Sequence, residues 1–233
     1  EKEVHDKVIP ALRWAMDPNN SKYPDTESAS YIALAKVTDD PTDIALIRRA
    51  IADADGKRPK DISQLVHESA VFALGMLRRT DAARQFDAKE LDRVRDFLFE
   101  CFDNKEFNTR SRAFAMLALG LLGDQPTTRG VSSTGDKGGL FYAPSDTALE
   151  STTAIRIFEL LNEKLPGDDY YVAALLALSM QAPDTIKPDM IEALKECALK
   201  GKLGKESTSD LVSSYAALAL GRVGSSKEIV PLA

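Results

Sequence analysis

Several residue types that build chemical sites are scarce in this chain of 233 residues. It has two cysteines, Cys101 and Cys197, and two histidines, His5 and His67, all far apart in sequence. A disulfide framework or a structural zinc site needs paired or clustered ligands at short spacing, so neither is expected. A hydrolytic triad would have to be assembled from the same few residues. The cysteines are predicted to be buried thiols that serve packing.

Long hydrophobic runs and a basic excess are also missing. The longest apolar run, Ala113 to Gly123, is about half the length of a membrane-spanning helix, and no signal peptide is readable. The 30 basic and 36 acidic residues give a net charge of −6 and are interleaved along the chain. Because a nucleic-acid-binding protein needs a basic face that neutralises phosphates, nucleic acid is not an expected partner. No membrane span is expected, and the compartment stays open.

What the chain has in abundance is a short motif in which Ala-Leu is followed by a small residue. Its five copies are Ala33-Leu34-Ala35, Ala73-Leu74-Gly75, Ala118-Leu119-Gly120, Ala177-Leu178-Ser179 and Ala219-Leu220-Gly221. The small residues are 40, 45, 59 and 42 positions apart. A period of roughly 40 to 47 residues is typical of HEAT and armadillo arrays and is too long for ankyrin or tetratricopeptide repeats.

Residues around the motif align as well. Three positions before the small residue stands a large apolar side chain in every copy: Ile32, Phe72, Leu117, Leu176 and Leu218. Five positions before it stands another small residue: Ser30, Ala70, Ala115, Ala174 and Ala216. Positions three and four apart share a helix face, so the small residues predict a shallow groove that another helix can approach closely. A helix this apolar is expected to be covered by neighbours on several sides.

A second, amphipathic helix is predicted before each motif. These leading helices are expected at residues 3–16, 41–54, 87–102, 146–164 and 187–200. Asp40 is predicted to cap the second of them with Pro41 at its first helical position, and Asp87 with Glu90 resembles a capping box. The segment 227–233 resembles the first turns of a sixth pair. Because an array normally ends in a capping repeat, the chain is expected to be a piece of a longer protein.

The motif copies resemble the end of the second helix in HEAT repeats. Two of them match it fully: Ala118-Leu119-Gly120-Leu121-Leu122-Gly123 and Ala219-Leu220-Gly221-Arg222-Val223-Gly224. Resemblance to the HEAT-repeat family, of the PBS-lyase type, implies an all-α fold. It implies a right-handed α-solenoid of about five stacked antiparallel helix pairs plus the start of a sixth. One array would fill residues 1–233, with approximate repeats 1–39, 40–80, 85–123, 146–183 and 186–224.

An insertion at residues 124–145 accounts for the 59-residue step. Glycine, serine and threonine dominate it, which predicts a loop. Near its end stand Leu140, Phe141 and Tyr142, three consecutive bulky apolar residues in polar surroundings. Such a cluster is expected either to fold back on the helices or to contact a partner. Phe141 and Tyr142 are therefore candidate partner-binding residues.

HEAT repeats also open their second helix with a Val-Arg pair, and here that match is poor. The arginine position holds Glu27, His67, Arg112, Tyr171 and Ser213. His67, Arg112 and Tyr171 would lie in register along the array, which makes them candidate contacts for a protein partner. The alternative is that they are helix-start residues that satisfy turns.

The function predicted from these features is a non-catalytic scaffold for protein–protein interaction, with no cofactor, no metal and no catalytic residue. Some HEAT-like proteins that resemble this chain attach or detach bilin chromophores, and others are DNA glycosylases. The first activity needs a pigment pocket and the second a basic cleft with a carboxylate, and the sequence shows neither. A structural spacer in a larger multidomain protein is a further alternative, since fold does not imply function.

Overall fold

The computed structural model describes residues 2–17, 19–21, 23–77, 86–123, 152–181 and 185–223. These residues form ten α-helices, preceded by a π-helical turn at Val4–Val8, and one short hairpin. The helices are α1 (Ile9–Ala15), α2 (Pro24–Val37), α3 (Pro41–Ile51), α4 (Gln64–Gly75), α5 (Ala88–Asp103), α6 (Thr109–Leu122), α7 (Thr152–Leu161), α8 (Asp168–Ser179), α9 (Pro188–Lys200) and α10 (Asp210–Val223). The predicted all-α class is confirmed.

Each predicted leading helix has a counterpart among the described residues, with different ends. The helix expected at 3–16 is divided between the π-helical turn and α1, and the helix expected at 146–164 ends at Leu161, while residues 146–151 lie outside the described residues. The helix expected at 41–54 ends at Ile51, because Ala52 is already extended. The connection between α9 and α10 contains the antiparallel strands β1 (Lys202–Leu203) and β2 (Glu206–Ser207). Gly201, at φ 62°, ends α9 in the left-handed conformation that favours glycine. The insertion 124–145, with Phe141 and Tyr142, and the segment 227–233 lie outside the described residues.

Side-chain caps fix where several helices begin. Asp40 accepts a hydrogen bond from the Thr42 N–H and Pro41 opens α3, as predicted. Asp87 caps α5 by accepting from the Lys89 N–H, while Glu90 pairs with Arg93 at 2.9 Å. Caps of this kind each stabilise a helix by about 1 kcal/mol.

The five helices that carry the motif, α2, α4, α6, α8 and α10, are called the motif helices, and they pack against one another in chain order. Each leading helix, α1, α3, α5, α7 or α9, packs on the motif helix that follows it. A Cβ on Gly75 would lie 2.7 Å from the Ala118 Cα, and one on Gly120 would lie 2.6 Å from the Ala177 Cα. The predicted close approach of neighbouring helices at the small residues is therefore confirmed. In both contacts the glycine of one motif helix meets the alanine that stands two positions before the small residue of the next motif helix.

Leading helices contact each other through arginine on aromatic rings. The Arg48 guanidinium of α3 lies 4.3 Å from the centre of the Phe97 ring on α5. On the other side of α5, the guanidinium of Arg156 from α7 lies 3.8 Å from the centre of the Phe99 ring. Each such cation–π contact contributes about 0.5 to 2 kcal/mol, depending on its exposure. They link helices that belong to consecutive pairs.

Candidate functional site

The predicted contact residue His67 lies inside a buried chain of hydrogen bonds between α4 and α6. Its Nε2 is 3.0 Å from the Ile51 carbonyl oxygen, and its Nδ1 is 2.9 Å from Ser111 Oγ. The Gln64 amide nitrogen donates to Ser111 Oγ and to the Glu68 carboxylate, each at 2.9 Å. His67 is 1% exposed and Ser111 is fully buried.

The directions of the two His67 bonds follow from the Ile51 carbonyl. A carbonyl oxygen only accepts, so Nε2 of His67 carries the proton and Nδ1 accepts from the Ser111 hydroxyl. Burial lowers the pKa of His67 to about 4, and the hydrogen bond to Ile51 opposes that shift only in part. A serine and a neutral histidine at 2.9 Å are the pair found in hydrolases, but both side chains are closed to solvent. Their arrangement serves packing between α4 and α6.

Arg112 and Tyr171 form hydrogen bonds to the backbone near the turn between the two helices of the next two pairs. Arg112 Nε donates to the Phe102 carbonyl at 2.6 Å, near the end of α5, and its Nη1 donates to the Tyr170 hydroxyl at 3.1 Å. The Tyr171 hydroxyl donates to the Glu163 carbonyl at 3.2 Å and accepts from the Leu165 N–H at 3.1 Å. Tyr171 is buried, whereas Arg112 is partly exposed.

These bonds support the alternative that the aligned residues satisfy turns. His67, Arg112 and Tyr171 occupy the same position in three consecutive motif helices. Each forms a hydrogen bond to a backbone carbonyl at the end of the preceding leading helix, or just beyond it. In the first pair the position is Glu27, which is buried, and whose Oε1 has no hydrogen-bond partner. Burial, together with the charges of Asp61 and Asp17, raises the pKa of Glu27. His67 and Tyr171 are both buried.

The cysteines are buried, as predicted. Burial raises the pKa of the Cys101 thiol to about 12 and also raises that of Cys197. A reactive cysteine needs a lowered pKa and some exposure, and these two have neither. The thiols therefore pack as small apolar side chains.

A surface that sequence analysis did not assign to function runs across the motif helices. It is the large apolar column Ile32, Phe72, Leu117, Leu176 and Leu218, called here the apolar strip. The first four are only partly buried, and Leu218 is 49% exposed. The neighbouring column adds partly exposed Met76, Leu121 and Met180. The column was visible in the sequence and was expected to be covered, but its side chains keep part of their surface exposed among the described residues.

The strip is mainly apolar, with charges of both signs at the ends of its helices. The Phe72 and Phe114 rings meet edge to face at 6.0 Å between α4 and α6. Arg110 lies 5.9 Å from the centre of the Phe114 ring and pairs with Glu68 at 3.1 Å. Asp169 begins the equivalent surface of α8. This pattern offers no basic track for a phosphate backbone.

Sites for small ligands are poorly developed in the described residues. The pocket between α1, α2 and α3 measures about 360 Å³ and is open, and its lining includes Tyr31, Arg49, Asp17 and Asp61. Nowhere in the described ranges do three His, Cys, Asp or Glu side chains come together to hold a metal ion. Within the same ranges, every helix is too short or too polar to cross a bilayer.

Comparison with protein-family models, with curated proteins and with solved structures gives no significant match. The HEAT resemblance therefore stays a prediction from the motif residues.

Proposed function

We propose that the motif helices stack in line, as in a HEAT-like α-solenoid, and that the apolar strip binds an apolar segment of a protein partner. In-line stacking is supported by the chain-order packing of α2, α4, α6, α8 and α10. It is also supported by the repeated contact of Gly75 with Ala118 and of Gly120 with Ala177. When each motif helix packs on the next in the same way, residues at equivalent positions of the helices form a row along the array.

The observation that carries the functional proposal is the exposure of the strip. Large apolar residues stand at equivalent positions on five consecutive motif helices and keep part of their surface in water. A contiguous apolar patch on a soluble protein is typical of an interaction site. Covering the exposed part of one of these side chains would contribute up to about 1 kcal/mol, at about 25 cal/mol per Å².

The length of the strip favours a peptide over a small molecule. Packed helices are about 8 to 10 Å apart, so four steps from Ile32 to Leu218 span roughly 35 Å. About ten residues of an extended chain, or a helix of about 23 residues, cover that distance. The expected partner is thus a protein segment with apolar residues on one side, and mixed charges at the helix ends would orient it.

Site-specific photocrosslinking tests this proposal. A photoreactive phenylalanine analogue at position 117, inside the strip, is expected to capture a partner that mass spectrometry identifies. The matched control is position 199, where Leu199 is 66% exposed on α9, a leading helix. Capture at 117 should be lost in the Leu176→Lys variant and kept in the Leu199→Lys variant, with helicity unchanged in both. Equal capture at 117 and 199, or capture that survives Leu176→Lys, would refute the strip as the binding surface.

A further inference from the structure

A buried carboxylate that lacks a hydrogen-bond donor lies between the first and second helix pairs. Glu27 is 7% exposed, and its Oε1 has no hydrogen-bond partner among the described residues. At the same position of the later motif helices stand His67, Arg112 and Tyr171, and each donates to a backbone carbonyl. A carboxylate only accepts hydrogen bonds, so an ionised Glu27 cannot donate in their place. A buried acceptor of this kind is costly unless a donor reaches it.

An open pocket adjoins this carboxylate. It measures about 360 Å³, and its lining comes from α1, α2, α3 and the connection between α3 and α4. Glu27 stands one helical turn before Tyr31, which lines the pocket from α2. Two further carboxylates belong to the lining, Asp17 just after α1 and Asp61 before α4. The apolar part of the lining consists of Met16, Leu46, Ala50, Pro59 and Ile62.

The electrostatics of the pocket favour a positive charge beside Glu27. Burial raises the pKa of Glu27, and the like charges of Asp61 and Asp17 raise it further. Burial also raises the pKa of Tyr31, and the charges of Glu27 and Asp61 add to that shift. These interactions place the Glu27 carboxylate close to the same lining. A cation in the pocket would offset the repulsion between the three carboxylates.

The two arginines of the lining do not supply that charge to Glu27. Arg13 is already paired with two other carboxylates, Asp43 at 2.6 Å and Asp40 at 2.8 Å. Arg49 is exposed and does not bond the Glu27 Oε1. The part of the chain that the structure describes therefore leaves this acceptor to a water molecule or to a ligand.

We propose that the pocket binds an alkylammonium group, carried either by a lysine side chain of a protein or by a free primary amine. The ammonium group donates to Glu27, with Asp17 and Asp61 as further counter-charges. Its alkyl chain packs on the apolar part of the lining, and the Tyr31 ring offers a face to the cation. A metal ion fits less well, because within the described ranges no three acidic, His or Cys side chains come close enough to share one.

An NMR titration of the backbone amide signals at constant ionic strength tests the proposal with two probes, butylammonium and N-acetyl-lysine amide. Both are expected to shift the signals of Tyr31 and Ile62 and to reach saturation. N-acetyl-norleucine amide has the same alkyl chain without the ammonium group and should not. Tighter binding of N-acetyl-lysine amide would assign the pocket to a protein side chain, and tighter binding of butylammonium would assign it to a free amine.

Substitutions show whether the carboxylates bind the ammonium group. Glu27→Gln keeps the shape of the side chain and removes its charge, so it should weaken binding of both probes about tenfold or more. Asp61→Asn should weaken binding several-fold, and because Asp61 is exposed this variant does not disturb the buried residues. The matched control is Asp25→Asn, which removes an exposed charge from the first turn of the same helix and should bind as the wild type does.

Failure of both amines to bind saturably would overturn the proposal and would leave water as the donor to Glu27. Equal losses of affinity in Asp25→Asn and Glu27→Gln would also overturn it, since the overall negative charge of the chain would then account for the attraction. Leu176→Lys should bind both amines as the wild type does, which separates this result from the outcome for the apolar strip.

Discussion

Acidification should destabilise this protein through His67 in a pH range that the structure defines. Burial lowers the pKa of His67 to about 4 in the folded chain, and an unfolded histidine titrates near 6.5. Between these values the unfolded state binds more protons than the folded state. The free energy of unfolding therefore falls as the pH drops from about 6.5 to about 4. A difference of about 2.5 pKa units corresponds to roughly 3 kcal/mol.

Urea unfolding followed by circular dichroism at pH values from 4 to 8 measures this effect. His67→Gln removes the titrating group while keeping an amide that can hydrogen-bond. It is expected to cost about 1 to 3 kcal/mol at pH 7, because Ser111 and the Ile51 carbonyl lose ideal partners. Its stability should then fall less steeply below pH 6.5. His5→Gln is the matched control, since the His5 side chain is 42% exposed and lies 3.6 Å from Asp39.

Carboxylates titrate in all three proteins, so the quantity to compare is the difference between each variant and the wild type. The free energy of unfolding of the wild type, relative to that of His67→Gln, should fall by roughly 3 kcal/mol between pH 6.5 and 4, so the advantage of the wild type should disappear or reverse. The His5→Gln variant keeps His67 and should therefore keep the wild-type loss of stability over this range. Parallel pH profiles for wild type and His67→Gln would refute the buried, neutral state assigned to this histidine.

Two further predictions concern packing. Gly75→Ala and Gly120→Ala are expected to lower the free energy of unfolding by about 1 to 3 kcal/mol, because the added Cβ meets the backbone of the next helix. Gly221→Ala should raise it by up to about 1 kcal/mol, since nothing lies within 4 Å and alanine favours a helix. Equal effects at the three sites in thermal unfolding would contradict the register. Cys101 and Cys197 should react with a thiol reagent only on unfolding, and rapid reaction of the native protein would contradict their burial.

The helices and the close helix contacts were predictable because they depend on local periodicity. The spacing of alanine, leucine and the small residue places one face of each motif helix against a neighbour, and Pro41 and Asp40 mark a helix start. The close helix contacts at Gly75 and Gly120 follow from the groove that the aligned small residues form.

The environment of His67 was not predictable, because it depends on residues far away in sequence. Ser111 is 44 positions later, and only the packing of α4 on α6 brings it within 2.9 Å. The exposure of Leu117 and Leu176 was missed for a related reason. Periodicity shows that a helix is apolar all round, but it does not show which side lacks a neighbour.

A spin-label distance between α2 and α10 shows whether the motif helices stack in line. Asp25 and Leu211 are both exposed and stand ten positions before the small residue of their helices. With labels introduced by Asp25→Cys and Leu211→Cys, in-line stacking predicts a distance of roughly 35 Å, which is four steps of about 8 to 10 Å. A distance below about 20 Å, two steps or fewer, would mean that the helices close around one core, and would contradict it.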